Sequence, residues 1–160
     1  MARLRADHRG DSLCPMSPVN HLLLWLHIGF AIFALGPLTA VTSVTPRYIR
    51  TRDIAVLRYL HRATRLFGLL TFGVFLFGVL LGLMMGHGTL GEPNMSASMT
   101  LFVVAAVLLV IVERDQRTAI AALSTESTDD DAKVQTGRIA ALAGVSALIW
   151  LVILFLMVFF

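Results

Sequence analysis

Residues 66–85 read LFGLLTFGVFLFGVLLGLMM, an unbroken run of twenty residues that contains no Asp, Glu, Lys or Arg. A helix needs about 20 such residues to cross a bilayer. The whole chain has the same character, because 57% of its 160 residues are hydrophobic and 14% are charged, whereas soluble domains carry about 25% charged residues. The run therefore predicts a membrane-spanning helix, with lipid as the solvent of most of the protein.

Three further runs repeat this pattern. They cover about residues 21–44 (HLLLWLHIGFAIFALGPLTAVTSV), 95–112 (MSASMTLFVVAAVLLVIV) and 139–160 (IAALAGVSALIWLVILFLMVFF). Each is expected to be helical, because a spanning segment in lipid must satisfy its own backbone hydrogen bonds. We predict an all-α fold, a single four-helix membrane bundle over residues 21–160, preceded by a disordered tail over residues 1–20. Met16 is an alternative translation start.

The distribution of basic residues predicts the direction of the four spans. Three arginines precede the first span, six follow it, none lies in the second loop and four basic residues lie in the third. Basic loops are retained in the cytoplasm and contact anionic lipid. We therefore predict that both termini and the second loop are extracytoplasmic. This placement also makes the lipid bilayer the expected partner of the basic residues and argues against nucleic-acid binding.

His27 is the one ionisable side chain well inside a span, which makes it a candidate functional residue. A neutral imidazole can ligate haem or copper, or it can hydrogen-bond a neighbouring helix, and the sequence leaves both open. His21 and His87 lie at the outer ends of the first and second spans. Six residues, about 240° of helical turn, separate His21 from His27. His21 and His27 therefore point to different sides of the helix, and His87 is a candidate partner for either one. The alternative for His21 and His87 is that each is an ordinary interfacial residue, and this is the favoured interpretation.

The second loop is rich in soft ligands. Residues 84–95 read MMGHGTLGEPNM, and Met95 and Met99 share a helical face. Thioether sulfur suits Cu(I), so we consider a metal site formed by His21, Met84, Met95 and Met99. Methionine is also an adaptable apolar filler, and the same stretch is typical of a short turn between two buried helices.

Glycines recur every four residues at Gly78, Gly82 and Gly86, which predicts close packing of this helix on another helix or on a flat cofactor. Ala140 and Gly144 predict a similar contact in the last span. Asp53 is a candidate N-cap for a helix that runs into the second span. The acidic run at residues 129–131 is expected to be a solvated turn before the last helix.

The first span, LLLWLHIGFAIFALGP, followed by an arginine-rich loop and the second span, resembles a family of predicted four-helix bacterial integral membrane proteins. That family is distantly similar to the copper resistance D group and to the four-helix membrane protoporphyrinogen oxidase. The resemblance implies a multi-pass protein of the bacterial inner membrane, and a haem contact at His27. The oxidase relatives carry a lysine in the third helix that residues 95–112 lack, which argues against porphyrinogen oxidation.

Three functions follow as hypotheses. The first is binding of haem or another redox cofactor through His27 and His87. The second is a structural or accessory role with a membrane-protein partner or a second copy of the chain. The third is copper handling by the outer Met/His loop. The sequence shows no readable nucleophile–base pair, which favours a function without catalysis.

Overall fold

The computed structural model describes residues 17–86, 91–124 and 129–159, and these ranges are helical apart from short caps and turns. The elements are α1 (Pro18–Phe30), a π-helical turn (Ala31–Leu35), α2 (Gly36–Arg50), α3 (Ile54–Met85), α4 (Pro93–Ser124) and α5 (Asp129–Phe159). With α1 and α2 taken as one span, four helices are long and apolar enough to cross a membrane. The predicted all-α, four-span architecture is therefore confirmed.

Neighbouring helices in the sequence are also neighbours in space. Helix α3 packs against α1 and α2, α4 packs against α3, and α5 packs against α4 and returns to α2. A core at the arginine-rich end joins all of them except α1. Its buried members are Ile49, Leu57, Val112, Ala119 and Ile139. Three of these residues, Ile49, Leu57 and Ala119, lie where hydropathy alone predicted loops, and the other two lie at the ends of predicted spans.

The helices extend well beyond the predicted spans. The third span was expected over residues 95–112, but α4 continues to Ser124 and keeps Gln116 and Ala119 buried. The arginines of this segment are exposed and Asp115 is buried, so the mean hydropathy falls while the helix keeps a buried stripe. The expected turn at residues 129–131 is wrong, because Asp129 begins α5. Acidic residues are favoured at a helix N-terminus, where the backbone dipole is positive.

The first span is interrupted by the π-helical turn at Ala31–Leu35, immediately before Gly36 and Pro37. Proline has no backbone N–H, and its ring clashes with the carbonyl four residues earlier. That carbonyl belongs to Phe33, so the regular hydrogen bond at this point is lost. A single wide turn relieves the clash, which is the usual origin of such irregularities. The irregularity before Gly36 and Pro37 therefore takes the form of a π turn.

A tight turn connects α2 to α3. Arg52 adopts a left-handed conformation with φ 55°, and its N–H bonds to the carbonyl of Ile49 while the N–H of Asp53 bonds to that of Tyr48. This pair of bonds is a Schellman motif, which satisfies the last carbonyls of a helix. Asp53 then caps α3, because its carboxylate accepts from the N–H of Val56 at 3.1 Å. The predicted N-cap is confirmed.

Candidate functional site

His27 is half-buried at the contact between α1 and α3. Its Nδ1 lies 2.8 Å from the carbonyl oxygen of Val74 on α3. A carbonyl oxygen can only accept, so Nδ1 carries the hydrogen and donates it. The neutral ring then has its lone pair on Nε2, which has no hydrogen-bond partner among the described residues. The structure thus defines both the tautomer and the ring nitrogen that remains available.

The imidazole lies against the backbone of α3 because residue 78 is glycine. A β-carbon at Gly78 would lie 2.9 Å from Cε1 and 3.1 Å from Nδ1 of His27, and 3.9 Å from Nε2. The Nδ1–Cε1 edge of the ring therefore faces α3, and Nε2 lies farther away. Glycine at this position permits the close approach that brings Nδ1 within reach of the Val74 carbonyl.

A second ring of α1 contacts another glycine of α3, Gly73, which lies five residues before Gly78. A β-carbon at Gly73 would lie 2.5 Å from Cδ1 of Phe30, and the ring of Phe30 is 5.2 Å from that of Phe77. The α3 surface therefore accepts His27 and Phe30 side by side. These two contacts fix the rotation of α1 about its axis relative to α3.

The three glycines of the predicted packing stripe have different surroundings. Gly78 meets His27, and Gly82 is buried within the bundle. Gly86 lies just after the end of α3 with φ 129° and ψ 152°, and a β-carbon there would meet nothing within 4 Å. Gly86 therefore does not serve helix packing. Its backbone conformation explains the glycine, because this combination of φ and ψ is essentially restricted to glycine.

The packing predicted for Ala140 and Gly144 is wrong within the bundle. Both residues are exposed, and a β-carbon at Gly144 would meet nothing within 4 Å. The face of α5 that packs inward instead carries Thr136, Ile139 and Ala143, which are buried. The predicted face and the buried face are offset by one residue along α5, or about 100° of helical rotation. The small size of Ala140 and Gly144 did not indicate which of the two faces packs inward.

The predicted soft-metal ligands are dispersed among different environments. His21 is exposed, and its Nδ1 lies 3.3 Å from the carbonyl oxygen of Ser17 in its own helix. Met84 is exposed, whereas Met95 and Met99 are half-buried, and His87 lies outside the described residues. Within the described part of the chain, no three His, Cys, Asp or Glu side chains could hold a metal ion together. The copper site depends on thioethers and on His87, and it stays a prediction.

A buried polar network lies at the arginine-rich end and was not predicted. The side-chain amide of Gln116 on α4 donates to the hydroxyl oxygens of Thr45 on α2, at 3.0 Å, and Thr64 on α3, at 3.1 Å. The three residues are fully buried. Their hydrogen bonds link three helices at a single level, and the amide oxygen of Gln116 has no partner among the described groups.

Ion pairs surround this network. The Glu113 carboxylate lies 3.6 Å from Nε of Arg65 and 3.5 Å from a guanidinium nitrogen of Arg117. Arg138 on α5 contacts the carboxylate of the buried Asp115 at 3.2 Å. Polar residues outside the predicted spans therefore form a hydrogen-bonded group on α2, α3 and α4 and separate ion pairs on α3, α4 and α5. A spacing signal was present, because Phe102, Ala105, Val112, Gln116 and Ala119 recur at helical intervals.

Comparison with protein-family models, with curated proteins and with solved structures finds no match for this chain. The family resemblance inferred from the first two spans therefore stays a prediction. In its described residues the chain is helical, with four helices long and apolar enough to cross a bilayer, which is the architecture of a multi-pass membrane protein.

Proposed function

We propose that this protein binds haem or a related metal-bearing redox cofactor in the membrane, with Nε2 of His27 as the protein ligand. The observation that carries the proposal is the 2.8 Å hydrogen bond from Nδ1 to the Val74 carbonyl. Histidine ligands characteristically donate their second ring N–H to a carbonyl or carboxylate, which orients the ring and raises the basicity of the ligating nitrogen. His27 has this arrangement.

The surroundings of His27 are compatible with a single protein ligand to such a cofactor. The imidazole is half-buried in an apolar span, and an ionisable side chain in such a span is a candidate functional residue. A single proximal histidine is sufficient to hold haem in several protein classes. When bound, such a cofactor would supply one-electron chemistry, while the chain supplies the ligand, its orientation through Val74 and the close packing at Gly78.

The alternative role of His27 is that of an interhelical hydrogen bond alone, and an experiment separates the two. The chain is purified in mild detergent from cells that make haem, and its visible absorption and iron content are measured. We expect a Soret band that His27→Ala abolishes and that His21→Ala retains, because His21 is exposed on the same helix and bonded only within it.

A stability measurement on the same two variants completes the test. Loss of colour in a folded His27→Ala protein supports ligation. A wild-type protein that is colourless and free of iron, with His27→Ala reducing only its thermal stability, would leave the histidine as a packing residue. The proposal that the protein resides in the bacterial inner membrane is tested by fractionation of the expressing cells. Recovery of the chain in the soluble fraction would contradict it.

A further inference from the structure

A long groove lies between α3 and α4 on the outside of the bundle, away from His27. Its volume is about 720 Å³. Most of its walls are apolar, and the α3 side includes Leu69, Phe72 and Phe75 while the α4 side includes Val103, Ala106 and Val110. Beneath it the two helices are in contact, because a β-carbon at Gly68 would lie 3.1 Å from Cδ2 of Leu109. The groove is thus an open channel with a narrow floor.

The polar groups in the floor are already engaged within the protein. The hydroxyl oxygen of Thr64 accepts from Gln116, and the hydroxyl of Thr71 donates to the carbonyl of Phe67 at 2.8 Å. The groove therefore offers a polar ligand little to bind along its length. Hydrocarbon is the occupant that such a surface favours, because it needs no hydrogen-bond partner.

The two ends of the groove differ. One end is closed by aromatic rings, since Phe75 stacks on Phe102 at 4.9 Å and Phe102 meets Trp150 at 5.4 Å. The other end carries Arg62, Arg65 and Glu113. From Arg65 to Phe75 the groove runs ten residues, about 15 Å of helix. This is half of the ~30 Å hydrocarbon core of a bilayer, so its length matches a single leaflet.

The charged end has an excess of positive charge. Glu113 is shared between Arg65 and Arg117 at 3.6 and 3.5 Å, and one carboxylate balances only one of these two guanidinium groups. Arg62 is exposed and has no carboxylate partner within the described ranges. Arg58, one turn earlier on α3, is exposed as well. An anion at this end would therefore meet more guanidinium groups than carboxylates.

We propose that this groove binds an anionic phospholipid of the leaflet next to the arginine-rich loops, with its phosphate on Arg62 and Arg65 and one acyl chain between α3 and α4. The inference is independent of the cofactor at His27. Charge selects the headgroup, the leaflet-length apolar channel selects the chain, and the aromatic end limits how far the chain extends.

The test uses the full chain in detergent, incubated with phosphatidylglycerol or with phosphatidylcholine of the same acyl composition, and counts bound lipid by native mass spectrometry. We expect phosphatidylglycerol to be retained preferentially. Each arginine near an anionic lipid surface contributes about 1 kcal/mol to the free energy of binding, which corresponds to about a fivefold change in affinity. Arg62→Gln combined with Arg65→Gln should therefore weaken phosphatidylglycerol binding by about 25-fold and phosphatidylcholine binding much less, because the choline ammonium offsets the charge of its phosphate.

Matched variants distinguish the groove from general surface charge. Arg114→Gln removes an exposed arginine of α4 that does not line the groove and should keep the preference. Ala106→Phe fills the channel and should reduce retention of both lipids, whereas Ala141→Phe, on the exposed surface of α5, should not. Glycerol phosphate, which has a phosphate and no acyl chain, should not displace the lipid.

Three results would overturn the proposal. The first is equal retention of the two lipids by the wild-type chain. The second is an unchanged phosphatidylglycerol preference in the double arginine variant, whose folding is verified by circular dichroism. The third is displacement by glycerol phosphate at the concentration that displaces intact lipid, which would identify a simple phosphate site. None of the three measurements depends on haem, so they test the groove even if the purified protein contains no cofactor.

Discussion

Replacement of Gly78 by alanine should separate His27 from α3. The added methyl group would lie 2.9 Å from Cε1 and 3.1 Å from Nδ1 of the imidazole. Both distances are shorter than the roughly 3.5–4.0 Å that is optimal for contacts between carbon atoms. The ring must move away, and the 2.8 Å hydrogen bond to the Val74 carbonyl is lost with it. The variant therefore tests directly whether glycine positions the candidate ligand.

Three contributions determine how far Gly78→Ala should change the free energy of unfolding. Interhelical hydrogen bonds in membranes contribute about 0.6 kcal/mol on average and about 1.7 at most. Overpacking at a tight contact costs about 1–3 kcal/mol. Alanine is favoured over glycine inside a helix by about 1 kcal/mol, which partly offsets the other two. The free energy of unfolding of Gly78→Ala should therefore fall by about 2 kcal/mol.

The assay is reversible unfolding in mixed micelles, followed by circular dichroism, with Gly144→Ala as the matched control. Gly144 is also inside a helix, but a β-carbon there would meet nothing within 4 Å, so only the favourable helix term applies and stability should not decrease. His27→Ala is combined with Gly78→Ala in a double-mutant cycle, because neighbouring residues that act through one contact are not additive.

In that cycle, the second substitution should cost nothing once the imidazole is absent. If Gly78→Ala is as stable as Gly144→Ala, the close approach of His27 to α3 is refuted. If the cost persists in the absence of the imidazole, the methyl group disturbs something other than His27. A cofactor band that also weakens in Gly78→Ala would connect this packing to ligation.

The remaining predictions concern caps, the buried network and topology. Asp53→Ala should lower the free energy of unfolding by about 1 kcal/mol, because α3 loses its N-cap, whereas Asp53→Asn should retain most of it; equal losses would contradict a capping role. Gly86→Ala should destabilise by about 1–3 kcal/mol, because φ 129° is disfavoured for any L side chain, and a neutral effect in thermal denaturation would disprove this. Gln116→Leu should destabilise by about 1–3 kcal/mol, because two buried hydroxyl groups lose their donor; unchanged unfolding would show that the network is dispensable. A periplasmic reporter enzyme fused after Phe160 should be active, and activity of a cytosolic reporter at that position would reverse the predicted topology.

The sequence by itself determined the membrane class and the number of spans. Runs such as residues 66–85 have one stable solution in lipid, because an unpaired backbone group there is costly and a helix pairs its own. Local chemistry also determined the cap at Asp53 and the irregularity before Pro37, since both depend on neighbours along the chain. The prominence of His27 followed from the same reasoning, because an ionisable side chain within an apolar run is conspicuous without any structure.

Only the tertiary structure decided what these residues contact. The bond from His27 to Val74 joins positions 47 residues apart, and the link between Gln116 and Thr45 spans 71, so no local pattern contains either one. Hydropathy ended the third span near residue 112 because it averages all faces of a helix, whereas burial follows one face, and that face continues to Ala119. The groove beside Arg65 likewise exists only where two helices diverge. Its walls belong to separate segments, and their spacing is a property of packing.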